Sequence, residues 1–126
     1  MRPAARSLFV FGIYAVLAGL GLVLMPAVLL QVLQFPTPAD GWVRVVGVLA
    51  ICVGAYHILA ARLELLPYIR ATVPVRIAFA LGLTALVLTR AMPAPLLIFG
   101  LVDVLGAAWT GLALRGADPA VGASAA

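Results

Sequence analysis

From Ser7 to Ala39 the chain carries no charged residue. A helix needs about 20 mostly apolar residues to cross a bilayer, so this one run is long enough to span and turn. Three further apolar runs follow, each bounded by arginine or proline. Of the 126 residues 66% are hydrophobic and 10% charged, with mean hydropathy +1.24. An average soluble domain is about one quarter charged. A water-soluble fold of this size has too little interior for so much apolar surface, and the length excludes several domains.

The basic start followed by a long apolar stretch has the outline of a signal peptide. The stretch is too long for one, and no small-x-small cleavage site follows, so it reads as an uncleaved first span. The spans predicted are residues 8–25, 42–61, 73–89 and 94–114. Pro36 and Pro38 place QFPTPADG in a loop, after a stretch from Val28 to Phe35 that suits the membrane interface. Arg62, Glu64, Pro67 and Arg70 read as the second loop, with Pro74 in the first turn of the third span. Residues 117–126 read as a flexible tail.

Four spans with short links predict an all-α, antiparallel four-helix transmembrane bundle. With the N-terminus inside, Arg2, Arg6, Arg62, Arg70, Arg76 and Arg115 are cytoplasmic, while Arg44 and Arg90 lie outside. That bias predicts that both termini are cytoplasmic, and it argues against a dual-topology multidrug exporter. The formal charge of +4 comes from eight arginines and no lysine. They are scattered at span ends with no basic patch, so nucleic acid is not a partner. Arginine-only usage with abundant alanine points to a GC-rich bacterial genome and an inner-membrane location.

Small residues recur at helical spacing in every span: Gly12, Ala15 and Gly19; Gly47, Ala50, Gly54 and Ala61; Ala78, Gly82 and Ala85; Gly106, Ala107 and Thr110. In lipid such stripes let helices approach closely, and they are the expected contacts.

The chemistry-bearing residues are few. Cys52 is the one cysteine and His57 the one histidine, which excludes a disulfide and a Cys/His zinc site. No nucleophile–base pair, phosphate loop or metal motif is present, so the reading leans away from an enzyme. Asp103, near the middle of the fourth span, is the most informative residue. A charge at mid-bilayer costs at least about 2.5–3.5 kcal/mol, so Asp103 is expected to face protein and bond to another helix, with His57, Tyr14 and Arg76 as candidates in that order. At ~1.5 Å per residue, His57 and Arg76 fall about 21 Å below the outer surface, Tyr14 about 17 Å and Asp103 about 14 Å. One inner-half cluster of the four is therefore allowed, as a ligand site or a proton relay. Arg76 lies opposite Ala78, Gly82 and Ala85, so snorkelling to the headgroups is its alternative reading. Tyr68 and Trp42 read as interface anchors, and Asp40 with Arg44 as a surface pair.

GWVRVVGVLAICVGAY in the second span, with its entering Arg44, and FGLVDVLGAAWTGLAL in the fourth, with Asp103, resemble the small bacterial four-helix membrane proteins grouped with the DoxX-like families. The resemblance implies the four-span fold. Some relatives are linked to quinone-dependent oxidation or membrane redox complexes, and no residue here inherits such a role. Two functional readings stand: an accessory or structural subunit with no catalytic site and no cofactor, partnered by lipid, other membrane subunits or itself; or a carrier or redox protein that binds a quinone or lipid at the inner polar cluster.

Overall fold

The structure, a computed structural model, describes residues 1–36 and 41–117. Its described residues are mostly helical, without strands. Helix α1 spans Pro3–Leu24, the short α2 Pro26–Val32, α3 Trp42–Arg62, α4 Leu66–Leu88 and α5 Leu97–Ala117, the last entered through a 3-10 turn at Ala94–Leu96. Four of these segments are long and apolar enough to cross a membrane. The expected Asp40–Arg44 pair and most of the expected tail lie outside the described residues.

Proline sets several of the starts. Pro3, Pro26 and Pro67 each sit in a first helical turn, where the missing N–H has no partner to lose. Two expectations are corrected here. Helix α1 begins at Pro3 rather than near Leu8, and α4 begins at Leu66 rather than near Val73. Pro67, Tyr68 and Arg70 are therefore helical, and Pro74 lies inside α4. The link between α3 and α4 shrinks to Leu63, Glu64 and Leu65. Glu64 takes a left-handed φ of 49° there, so that the N–H of Leu65 reaches the carbonyl of Ala60 at 2.9 Å and that of Glu64 reaches Ala61 at 3.1 Å. Gln34 and Arg90 close α2 and α4 in the same way. This is a stop usually given to glycine, here filled by polar side chains.

Helix α1 is the hub. It packs against α3 on one side and α5 on the other, and α5 carries α4. Between α1 and α3 the backbones themselves meet. A Cβ on Gly12 would stand 2.9 Å from the carbonyl oxygen of Gly54, and one on Gly19 would stand 2.5 Å from that of Gly47. The partners 12/54 and 19/47 run in opposite senses along the two helices, one every two turns. These are two of the predicted small-residue stripes. At the end where α1 starts, Ala4, Ala5 and Leu8 close against Ala60, Ala61 and Ile69. There Glu64 Oε1 accepts the backbone N–H of Arg2 at 2.6 Å. At the far end Phe35 stacks on Phe99, with ring centroids 6.3 Å apart.

The interior is built of small side chains, and the large aliphatic ones point outward. Only Leu8, Ile69, Thr110 and Ser7 lead the fully buried set, whereas Leu17, Leu49, Leu81, Leu101 and Leu112 are all exposed. That is the size distribution of a helix assembly surrounded by hydrocarbon.

The third predicted stripe is corrected. Ala78, Gly82 and Ala85 face away from the other helices, and nothing approaches the Cβ position of Gly82. The packed face of α4 is the opposite one, Ile69, Thr72, Arg76 and Ala80.

These packings predict unequal costs for one added methyl. Gly19→Ala and Gly47→Ala should each destabilise the protein by about 1–3 kcal/mol, since the clash is with backbone. Gly82→Ala should be neutral or slightly stabilising. Thermal unfolding of the detergent-solubilised variants checks this, and equal melting temperatures for all three would refute the glycine crossing.

Candidate functional site

One turn above the alanine-rich end, polar side chains from α1, α4 and α5 converge. Arg76 enters from α4 and is only 4% exposed. Its Nη2 donates to Thr110 Oγ1 of α5 at 2.8 Å. Thr110 is fully buried; its hydroxyl lies 2.8 Å from Ser7 Oγ of α1 and 3.0 Å from the Gly106 carbonyl. Ser7 in turn reaches the carbonyl of Ala4 at 2.7 Å. Three helices are thus joined through one threonine oxygen. The guanidinium carbon lies 4.4 Å from the centroid of the Phe11 ring, a cation–π contact of the kind that strengthens when desolvated.

Snorkelling of Arg76 to the headgroups is therefore corrected. The side chain is held inward by Thr110 and Phe11. Its Nε and Nη1 are buried and have no hydrogen-bond partner among the described residues. An unpaired buried donor on a charged group costs more than the usual about 1–3 kcal/mol of a neutral one. This is the most unusual feature among the described residues.

Asp103 is buried, at 8% exposed, as a mid-span carboxyl should be. The bond expected for it is not found. Among the described residues Asp103 makes no hydrogen bond with His57, Tyr14 or Arg76. His57 has another partner. Its Nδ1 lies 2.9 Å from Tyr68 Oη, and the two rings meet edge to face at 5.8 Å. The reason is the early start of α4, which carries Tyr68 on its first turn beside the end of α3. Tyr68 is half-buried and is the hydrogen-bond partner of His57.

Phe11 sits at the centre of these groups. Its ring lies 5.8 Å from that of His57 and 5.6 Å from that of Tyr14, with Arg76 over it. Three of the four residues read from the sequence, Tyr14, His57 and Arg76, thus lie around one phenylalanine without bonding to each other. Phe11, Ser7 and Tyr68 were not legible as members of the site. Thr110 was legible only as a packing residue.

A groove of about 310 Å³ runs between α1 and α5 beside this cluster, bounded by Val10, Phe11, Tyr14, Val102, Leu105 and Trp109. Ser7 and Gly106 also line it. A Cβ on Gly106 would lie 3.0 Å from Phe11 Cδ2 and 3.5 Å from Arg76 Nη1, so the guanidinium stands directly behind the groove wall. Among the described residues no cluster of His, Cys, Asp or Glu has the form of a metal site.

Comparison with protein-family models, with curated proteins and with solved structures gives no match for this chain.

The geometry assigns Thr110 the central structural role. Thr110→Val keeps the shape but removes the oxygen that Arg76 and Ser7 share, and should cost about 1–3 kcal/mol or more. Tyr68→Phe removes only the partner of His57 and should cost about 1 kcal/mol. The ranking is checked by thermal unfolding in one detergent, and a Thr110→Val variant as stable as the parent would overturn it.

Proposed function

We propose that the chain is a multi-pass protein of a bacterial cytoplasmic membrane. Its four spans form an antiparallel bundle with both termini inside, and it binds a small lipophilic ligand, a quinone or lipid, at the polar cluster around Arg76. The observation that carries the ligand reading is the guanidinium. Two of its nitrogens are buried and unpartnered behind a groove of about 310 Å³, a size at the lower end of small-molecule sites. Helix packing alone gains nothing from donors left unbonded. The opposed contact registers of α1 with α3 support the antiparallel arrangement, and the arginine bias supports the orientation. The reading agrees with the resemblance to the DoxX-like families. No nucleophile–base arrangement supports an enzymatic role.

One observation favours the second reading, an accessory subunit. The small face of Ala78, Gly82 and Ala85 is exposed, with no neighbour at Gly82 among the described residues, and such a face suits close approach of another membrane helix.

For the orientation, Gly41→Cys and Gly116→Cys are placed singly in a Cys52→Ser background. A membrane-impermeant maleimide added from the periplasm should label position 41 and not position 116; the reverse pattern overturns the orientation. For the ligand, native mass spectrometry of protein extracted in mild detergent should show a retained lipophile that is lost in Arg76→Gln. Protein that carries no small molecule, yet co-purifies with another membrane protein dependent on Gly82, would favour the subunit instead.

A further inference from the structure

The fold gathers charges that the sequence spreads out. At the starting end of α1, Ala5, Ala61 and Ile69 pack in one cluster with Leu114 against it, so that α1, α3, α4 and α5 all contribute. Each of these residues is followed directly by an arginine: Arg6, Arg62, Arg70 and Arg115. Arg2 stands two residues before Ala4 of the same cluster. Packing the small apolar residues therefore carries five arginines to one end of the protein, and all five are exposed. At the opposite end, where α3 begins and α4 stops, stand Arg44 and Arg90.

The charge is not cancelled locally. Glu64 is the one described carboxylate at this end, and its Oε1 accepts the backbone N–H of Arg2 at 2.6 Å. Arg2, Arg6, Arg62 and Arg115 form no ion pair among the described residues. Even with Asp118, three positions beyond Arg115 in the sequence, positive charge stays in excess.

Depth decides which anion fits. The arginines stand at the ends of segments long enough to cross a membrane, and so at the level of lipid headgroups. On either side of Glu64, Leu63 and Leu65 are 61% and 45% exposed. A turn that shows two leucines among arginines suits the boundary between headgroups and acyl chains, with the leucines in hydrocarbon and the guanidiniums outside it. A free anion in solution satisfies the arginines and leaves the leucines in water. The planar guanidinium matches phosphate oxygens two at a time.

We propose that this end of the protein is a binding rim for acidic phospholipids, selecting anionic over zwitterionic headgroups in the leaflet at which α1 begins. The rim is separate from Arg76, which is buried, and it stands whether or not a lipophile is retained there.

Purified protein in mild detergent is titrated with phosphatidylglycerol or phosphatidylcholine of matched acyl chains, and bound lipid is counted by native mass spectrometry. The parent should hold phosphatidylglycerol about tenfold more strongly, as expected when one or two arginines, each adding about fivefold, engage a headgroup. Arg6→Gln/Arg62→Gln/Arg115→Gln should bring the two lipids near parity. Arg44→Gln/Arg90→Gln, at the opposite end, should leave the preference intact. Glu64→Gln keeps an acceptor for the Arg2 N–H, removes a negative charge and should raise the preference. Should the triple variant fail to fold, Glu64→Gln still decides, because its expected change is a gain. Equal retention of the two lipids by the parent, a preference that survives the triple variant, or a fall in Glu64→Gln overturns the inference. A preference lost in Arg76→Gln with the rim intact overturns it too, and places the lipid at the buried site of the ligand-binding reading.

Discussion

Everything in this fold depends on how closely two helix backbones can approach where no water is present to drive them together. In hydrocarbon, apolar side chains gain nothing by leaving lipid for protein, so association rests on dispersion contacts and polar bonds at short range. Helices α1 and α3 meet this condition at Gly12/Gly54 and Gly19/Gly47, where carbonyl oxygens lie against the facing glycine backbone. Contacts of that type bring Cα–H groups up to carbonyl oxygens, each a small gain repeated along the seam. With α1 fixed on α3, its other face is presented to α5, and α4 follows on α5. The leucines and valines on the outside are solvent-matching groups, not core.

The second contact face works differently. Between α1, α4 and α5 the cement is polar: a threonine hydroxyl shared by an arginine and a serine, and an aromatic ring under the guanidinium. A charged side chain in this position holds a packing relation between three helices, because any displacement exposes the guanidinium to hydrocarbon. The same position leaves part of its hydrogen-bonding capacity unused. Rigid placement and incomplete satisfaction thus meet at one residue.

The sequence makes the helix count and the α1–α3 seam readable, because glycines at helical spacing have few other uses in an apolar helix. It misleads on α4 for a physical reason. Ala78, Gly82 and Ala85 carry the same signal as the α1 glycines, but small residues say only that close approach is possible. Arg76 marks the opposite face as unfavourable for burial until its partners are known, and those partners, Ser7 and Thr110, are ordinary hydroxyls with nothing in their spacing to single them out. The loop before α4 misleads in a related way. Pro67 reads as a loop residue although it occupies a helix start, and the stop at the end of α3 falls on Glu64, without the glycine that announces such a turn. Tyr68 moved from loop to helix as a result, and with it the partner of His57. Asp103 was readable as buried, but what lies around it depends on side-chain directions that no one-dimensional pattern contains.

The bond between the backbone of Arg2 and the side chain of Glu64 joins points far apart in the chain. A growing polypeptide has to release α1, α3 and the turn after it before this bond can form. It closes the start of α1 onto the turn after α3, beside the buried Ala4, Ala5 and Leu8. The start of α1 is thereby tied to a turn that lies 62 residues further along the chain.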